Sequence, residues 1–576
     1  MTALNESTLL YPTPVRGPAG AARLAAQAAA EDIQSELDRL IESLAKSDAR
    51  PVDGSAATPA HVIISSKDNL TDKYGQSGFE QLDHSLHQLK QAIEEYAALQ
   101  AFVIYVDDRA CLAPFQLKPV DPKNPWQVKM LIDNLDTRLS SRGWTIRYVL
   151  IVGGNDIIPF HRLPNPIDDQ DSDVPSDNPY ASRDANYLIP ERALGRLPDG
   201  EGKDVAFLHT LLQTTIAGHQ KPVAPKGLLS DLAGMLRLTE GSQRNGNGLG
   251  YSASIWRRAS RAVFQVIGDN RRLRTSPPFA YEEFGIVEQL RFSYFNLHGV
   301  EDGANWYGQP DALFPADYPL FPIALRPDDL SAEEHAGSVV FTEACYGANT
   351  LGKDAETSIA LRFLASKALA LVGSTKISYG SLAPPLVGAD LISKHFWEGL
   401  QTGLTVGEAL KAAKVNLAQD MQERQGYLDG EDQKTLVSFV LYGDPALRLT
   451  ALQNGAGKGI PGGAICPPLI CQKKGKFQKA LVSEELVAEV KKRVEADLPY
   501  MAQAEVRAAR LTQCNGNCDH RCALSGKSAK AGTKHVGKWA FILEKDIPSG
   551  SNGAHHQLIK VTVDEGGHIL KMAMSK

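Results

Sequence analysis

Apolar positions fall into two alternating patterns along the chain. Short unbroken runs of β-branched and aromatic residues alternate with longer stretches in which apolar residues recur at helical spacing. The runs His61–Ser65, Ala101–Val106, Arg147–Gly154, Phe292–Gly299, Ser338–Gly347, Ala368–Gly373 and Leu436–Leu441 are too short for helices and predict buried strands. Arg192–Leu197 returns the chain to the same core. Helices are expected over Ala21–Ala45, Gln81–Leu99, Trp126–Leu139, Val205–Gly218, Ser252–Ile267, Thr357–Lys367, Leu386–Leu400 and Thr405–Met421. Strands alternating with helices imply a parallel sheet covered on both faces.

The intervening segments differ in character. Asn165–Ala185 is acidic and punctuated by Pro and Ser, which predicts a long loop at the sheet edge. Glu240–Gly250 is flexible by composition, and Arg244 makes it a candidate self-processing site. The tail predicts a charged helix over Val482–Leu511 and strands over Lys538–Leu543, His556–Val563 and His568–Met574. Gly566-Gly567 supplies a hairpin turn between the last two strands. The expected organisation is a flexible or helical region at 1–59, α/β subdomains at 60–220 and 221–450, and a small C-terminal α+β module at 451–576.

Composition narrows the function classes. With 43% hydrophobic and 22% charged residues, the chain has ample means to bury a core. The net charge of −6 makes no case for nucleic acid. Its distribution is uneven: residues 451–576 carry 19 Lys+Arg against 11 Asp+Glu, a net of +8, and the remainder carries 42 against 56, a net of −14. The tail is therefore expected to meet the acidic body or an anionic partner, and a regulatory partner engaging it is one candidate. No membrane span or leader is read, and the cytoplasm is the expected compartment.

Seven cysteines give no disulfide framework. Cys514, Cys518 and Cys522 repeat at a spacing of four, and Cys466 and Cys471 lie upstream. Thiolates gathered this densely are candidate ligands for a structural zinc ion, against free thiols or a disulfide. No cofactor is expected for catalysis.

The chemistry concentrates in Phe292–Gly347. Phe-Ser-Tyr-Phe-Asn-Leu-His298-Gly299 and Ser-Val-Val-Phe-Thr-Glu-Ala-Cys345-Tyr-Gly347 are two predicted strands that deliver a His and a Cys to one sheet edge. A thiolate is the nucleophile of a cysteine hydrolase, and a nearby imidazole carries its proton. Gly299 leaves room for a substrate carbonyl, so the Gly299 and Cys345 N–H groups are candidate oxyanion donors. Glu343, on the same strand face as Cys345, is a candidate to orient His298 or to recognise a cationic substrate. Asp177 and Asp184 are candidate substrate-binding residues of the acidic loop.

These residues resemble the caspase-like cysteine peptidases of clan CD, and within them the gingipain-type C25 peptidases. The resemblance rests on Phe-Asn-Leu-His298-Gly299 and Thr-Glu-Ala-Cys345-Tyr-Gly. It extends through Tyr148–Pro159, Ser176–Tyr180, Ala193–Pro198, Ala368–Thr375 and Leu441–Leu449 in the family's order. It implies a caspase/gingipain-like parallel sheet flanked by helices in two subdomains, with Cys345 as nucleophile, His298 as general base and acid, and Gly299 as oxyanion donor. It further implies an endopeptidase that hydrolyses protein or peptide substrates through an acyl-enzyme. The family's pocket for a basic side chain uses an acid in the loop before the Gly-Arg strand, where Asn186-Tyr187 stands here. The alternative function is a catalytically silent caspase-like scaffold that binds a partner through its basic module.

Overall fold

The computed structural model describes residues 57–97, 99–184, 187–221, 248–286, 288–315, 317–449, 469–471, 482–514, 534–548 and 554–576. The expected helix at Ala21–Ala45 and the self-processing candidate Arg244 lie outside them.

In chain order the principal strands of the body are β1 (Thr58–Ser65), β2 (Gln100–Tyr105), β3 (Trp144–Val152), β4 (Ala193–Leu197), β5 (Gly248–Ala253), β6 (Leu273–Ser276), β7 (Phe292–Asn296), β8 (Val339–Thr342), β9 (Ala370–Ser374), β10 (Tyr379–Gly380) and β11 (Phe439–Gly443). All but β10 form one ten-stranded sheet in the order β2-β1-β3-β4-β11-β9-β8-β7-β5-β6. Its pairs are parallel except β9 with β11. The β4–β11 pairing carries the sheet without a break from one predicted subdomain to the other. Across the same junction, Asp444 accepts hydrogen bonds from His61 Nε2 at 2.9 Å and His219 Nε2 at 3.1 Å. Those two imidazoles hold the Asp444 carboxyl well below its ordinary range.

Helices cover both faces, as expected for strands apolar on both sides. One apolar layer draws on helices Lys67–Tyr96, Pro125–Ser140, Ala206–Gln220 and Ile359–Ala365. The other draws on Arg257–Phe264, Gly388–Gln401 and Val406–Gln425.

Four expected elements are revised, each for a local reason. Gly248–Gly250 is strand rather than flexible linker. A Cβ on Gly248 would lie 2.6 Å from the Ile267 carbonyl oxygen, and one on Gly250 would lie 2.7 Å from the Phe264 ring, so these glycines let helix Arg257–Phe264 close onto the sheet. Leu436–Ser438 ends a helix that starts at Gly430, because a capping box between Asp429 and Asp432 nucleates it. The charged helix of the tail stops at Asp497, before Pro499, and the chain becomes strand at Glu505. The acidic loop is largely ordered as an antiparallel hairpin, His161–Pro164 with Asp173–Ser176, followed by a short helix, Asn178–Ala181.

The tail folds as the expected small module. Its strands are β12 (Leu469–Cys471), β13 (Glu505–Cys514), β14 (Lys534–Pro548), β15 (Ala554–Asp564) and β16 (Ile569–Ser575). They form an antiparallel sheet in the order β10-β16-β15-β14-β13-β12, so β10, which belongs to the body, completes the module's sheet. The module and body share a core in which Trp256, Tyr307 and Phe321 meet Phe541, Val561 and Met574. The basic tail meets the acidic body as the charge asymmetry suggested. Lys571 Nζ is 2.9 Å from both Asp429 and Asp432, Arg507 is 3.0 Å from Asp168, and Lys560 pairs with Glu431. Cys466, Cys518 and Cys522 lie outside the described residues; Cys471 and Cys514 contribute backbone to β12 and β13, two strands that pair with each other.

Candidate active site

Strand register brings the His and the Cys together. In the parallel pair β7–β8, Phe292 faces Val339 and Phe295 faces Thr342, a constant offset of 47 residues. His298 and Cys345 are separated by the same offset, three residues beyond the last pair. Adjacent strands lie about 4.8 Å apart, so both residues emerge side by side at the carboxyl edge of the sheet. Open α/β sheets bind ligands at that edge. Gly299 is in close contact with the Cys345 backbone: a Cβ there would lie 2.0 Å from the Cys345 carbonyl oxygen. Only glycine fits. Tyr346 takes a left-handed conformation (φ 56°), which turns the chain sharply away after Cys345.

His298 is anchored on all sides. Its N–H donates to the Tyr307 carbonyl at 2.8 Å, and its own carbonyl accepts from Tyr307 N–H at 2.9 Å. Nε2 lies 2.8 Å from Gln309 Oε1. An amide oxygen only accepts, so Nε2 carries the proton and the lone pair sits on Nδ1. Trp256, tilted, and Phe321, edge-on, pack against the ring at 4.3 and 5.0 Å, and His555 of the module lies 6.1 Å away. This burial holds the imidazole well below its ordinary pKa, opposed by hydrogen bonds to Gln309 and the Lys576 backbone.

Cys345 Sγ receives the Ser378 N–H at 3.3 Å and lies 3.5 Å from the Ser378 carbonyl oxygen. Burial pushes its thiol up to about 12, opposed by backbone hydrogen bonds from Ser378 and Lys576. Among the described residues no hydrogen bond joins Cys345 to His298; the Lys576 backbone bonds to both. The pair is therefore a neutral thiol beside a neutral imidazole.

The other sequence-predicted residues are placed differently. Glu343 points away from His298: Oε1 accepts from Tyr294 OH at 2.8 Å, and Oε2 lies 3.4 Å from Lys576 Nζ. Burial and neighbouring Asp390 hold its carboxyl well above the ordinary range. The group that orients His298 is Gln309. Asp177 is buried and bonded through both oxygens to Arg196, at 2.6 and 2.8 Å, so it fixes the Gly-Arg strand and is not available to a substrate. Asp184 is exposed on the loop that follows helix Asn178–Ala181.

The acidic hairpin does reach the site through other residues. Asp169 and Asp171 share Lys434 at 2.5 Å each, Asp169 accepts from Tyr379 OH at 2.7 Å, and Asp171 accepts from Tyr346 OH at 2.8 Å. These bonds brace the segments on either side of Cys345. Gln309, Ser378 and Asp390 were not singled out in the sequence. Asp390 alone left a signal, an acid on the apolar face of a predicted helix.

Residues 321–450, which include Cys345 but not His298, match the model of peptidase family C25. No curated protein matches the chain. Among solved structures the chain is similar to the Arg-specific cysteine proteinase gingipain R, at 14% identity over 92% of this chain and 99% of that one, with a TM-score of 0.45. A second structure, described as a protease, is 10% identical over 88% and 98%, with a TM-score of 0.43. The segment around Cys345 is therefore similar to peptidase family C25.

Proposed function

We propose that the chain is a cysteine endopeptidase acting through Cys345 and His298. The observation that carries this reading is the shared register offset, which sets the two side chains abreast at the sheet edge with Gly299 against the Cys345 carbonyl. Sγ attacks the scissile carbonyl while its proton passes to His298 Nδ1. The Gly299 and Cys345 N–H groups receive the oxyanion. His298 returns the proton to the leaving amine, and a water that it then deprotonates hydrolyses the thioester. Gln309 holds the Nε2 proton, which leaves Nδ1 as the basic nitrogen. This route starts from a neutral pair, so proton transfer accompanies attack.

The second reading, a silent scaffold, draws support from the buried, un-ionised thiol. A fluorogenic peptide panel on wild type, Cys345→Ala and His298→Ala separates the two. The peptidase reading predicts cleavage that both substitutions remove. Cleavage that survives Cys345→Ala overturns the role given to Cys345, and no cleavage by any Cys345-containing form leaves the scaffold reading standing.

A further inference from the structure

Lys576 lies inside the cleft just described. Its N–H donates to the Ser378 carbonyl at 3.0 Å, one residue from the β10–β16 pairing of Tyr379 with Ser575 and Gly380 with Met574. Its backbone also bonds to His298 and Cys345. An extended segment pairing with an exposed strand edge is a common way for a protein to hold a peptide, with alternate side chains entering pockets.

The Lys576 side chain enters such a pocket and is fully buried. Nζ lies 3.4 Å from Glu343 Oε2, 3.2 Å from Asp390 Oδ2 and 4.2 Å from the Trp256 ring centre. Asp390 is held rigid: Oδ2 accepts from Ser381 N–H at 2.6 Å and Oδ1 from Asn296 Nδ2 at 3.3 Å. Gly380 forms one wall, where a Cβ would lie 2.2 Å from Lys576 Cε. Glu343 and Asp390 lie against each other in this buried site, and an ammonium between them, held over an aromatic face, pairs with both.

We infer that Glu343, Asp390, Trp256 and Gly380 form a subsite for a lysine side chain of an extended peptide, and that β16 with Lys576 fills it as a tethered substrate mimic. This rests on the peptidase reading for its consequence, a cleft in which the tail competes with other peptides and slows their cleavage. The acids come from β8's end and helix Gly388–Gln401, not from the loop before the Gly-Arg strand.

The test uses the full chain carrying Cys345→Ala, so that binding is read without hydrolysis. A fluorescein-labelled peptide ending Ala-Met-Ser-Lys is titrated by anisotropy against this protein and against the same protein with Lys576→Glu. Loss of the ammonium, and a third acid set beside Glu343 and Asp390, should expel the altered tail and tighten peptide binding at least tenfold. The opened site should prefer the lysine peptide at least tenfold over versions ending in Leu or Asp, with Arg as a graded comparison. Adding Gly380→Ala or Asp390→Asn should each erase that preference; the first blocks the pocket sterically, so it holds even if the second unfolds the protein. Equal binding with and without Lys576, or no lysine preference in the opened protein, overturns the inference. Failure of the peptidase reading would show separately, as absence of hydrolysis by the Cys345-containing Lys576→Glu protein.

Discussion

The two halves of the cleft are built in opposite ways. The catalytic half is a continuation of two neighbouring strands, and its groups are set by register and apolar packing. The pocket half is assembled from β8's end, helix Gly388–Gln401, β10 and β16 with Lys576, and joins strand pairing to charge. The first is rigid because fully buried strands have one register that keeps their apolar faces inside. The second is conditional, since its cation is brought by a separate module, docked through a shared apolar core and ion pairs. Chemistry and access can thus be disturbed independently.

Substitutions at the catalytic half should produce the largest effects. Cys345→Ala in the Lys576→Glu background should reduce peptide hydrolysis by about 10⁴-fold or more, since nucleophile loss removes the acyl-enzyme route. Intact tail docking, read by melting temperature in the Lys576 form, should accompany it. A loss of docking would join the two halves.

The docking contacts come next. Lys571→Ala leaves Asp429 and Asp432 buried without their cation, in a site where Asp432 already titrates up at about 8. Removing one partner of a buried ion pair costs about 3–5 kcal/mol. Urea unfolding should show that loss, and peptide hydrolysis should rise as the module loosens. Reduced stability with unchanged or lower hydrolysis by folded protein would break the comparison.

Gln309→Ala is expected to be milder. It frees the His298 ring while leaving both reacting groups, so kcat should fall on the order of 10²-fold, the scale of losing one positioning contact. KM should change little. A KM effect alone would reassign Gln309 to substrate binding.

The pH dependence of Cys345 alkylation reads the enclosure of the thiol, about tenfold at each step. With the thiol pushed up to about 12 and only its thiolate reactive, the iodoacetamide rate in the tail-docked protein should climb roughly tenfold per pH unit from 7 to 10. In Lys576→Glu, water enters the cleft and the rate at pH 7.5 should be higher. A plateau near pH 8 in the docked form would mean the thiol is not enclosed.

What was legible in the sequence follows the same division. β7 and β8 are fully buried runs of the kind apolar patterning detects, and the 47-residue spacing of His298 and Cys345 proved to be the strand offset itself. The helices over Pro125–Ser140 and Gly388–Gln401 were read nearly to their ends. Glu343 was noticed for its strand face, and it lies beside Lys576 rather than His298. Gln309, Ser378 and Asp390 left little trace because they act through partners 11 to 186 residues away, which no local pattern encodes. The tail's net charge pointed to the acidic body, but pairing of β16 with two residues of β10 cannot be read from composition. Asp177 misled because an acid in an acidic stretch resembles its exposed neighbours until Arg196 is found against it.

The most direct measurement of the central claim is the fate of a peptidyl acyloxymethyl ketone ending in lysine, mixed with the Lys576→Glu protein and followed by intact-mass and peptide-level mass spectrometry. The account predicts one adduct, on Cys345, absent when His298 is replaced by alanine. An adduct on Cys111, or none on Cys345 in a folded protein, would contradict it.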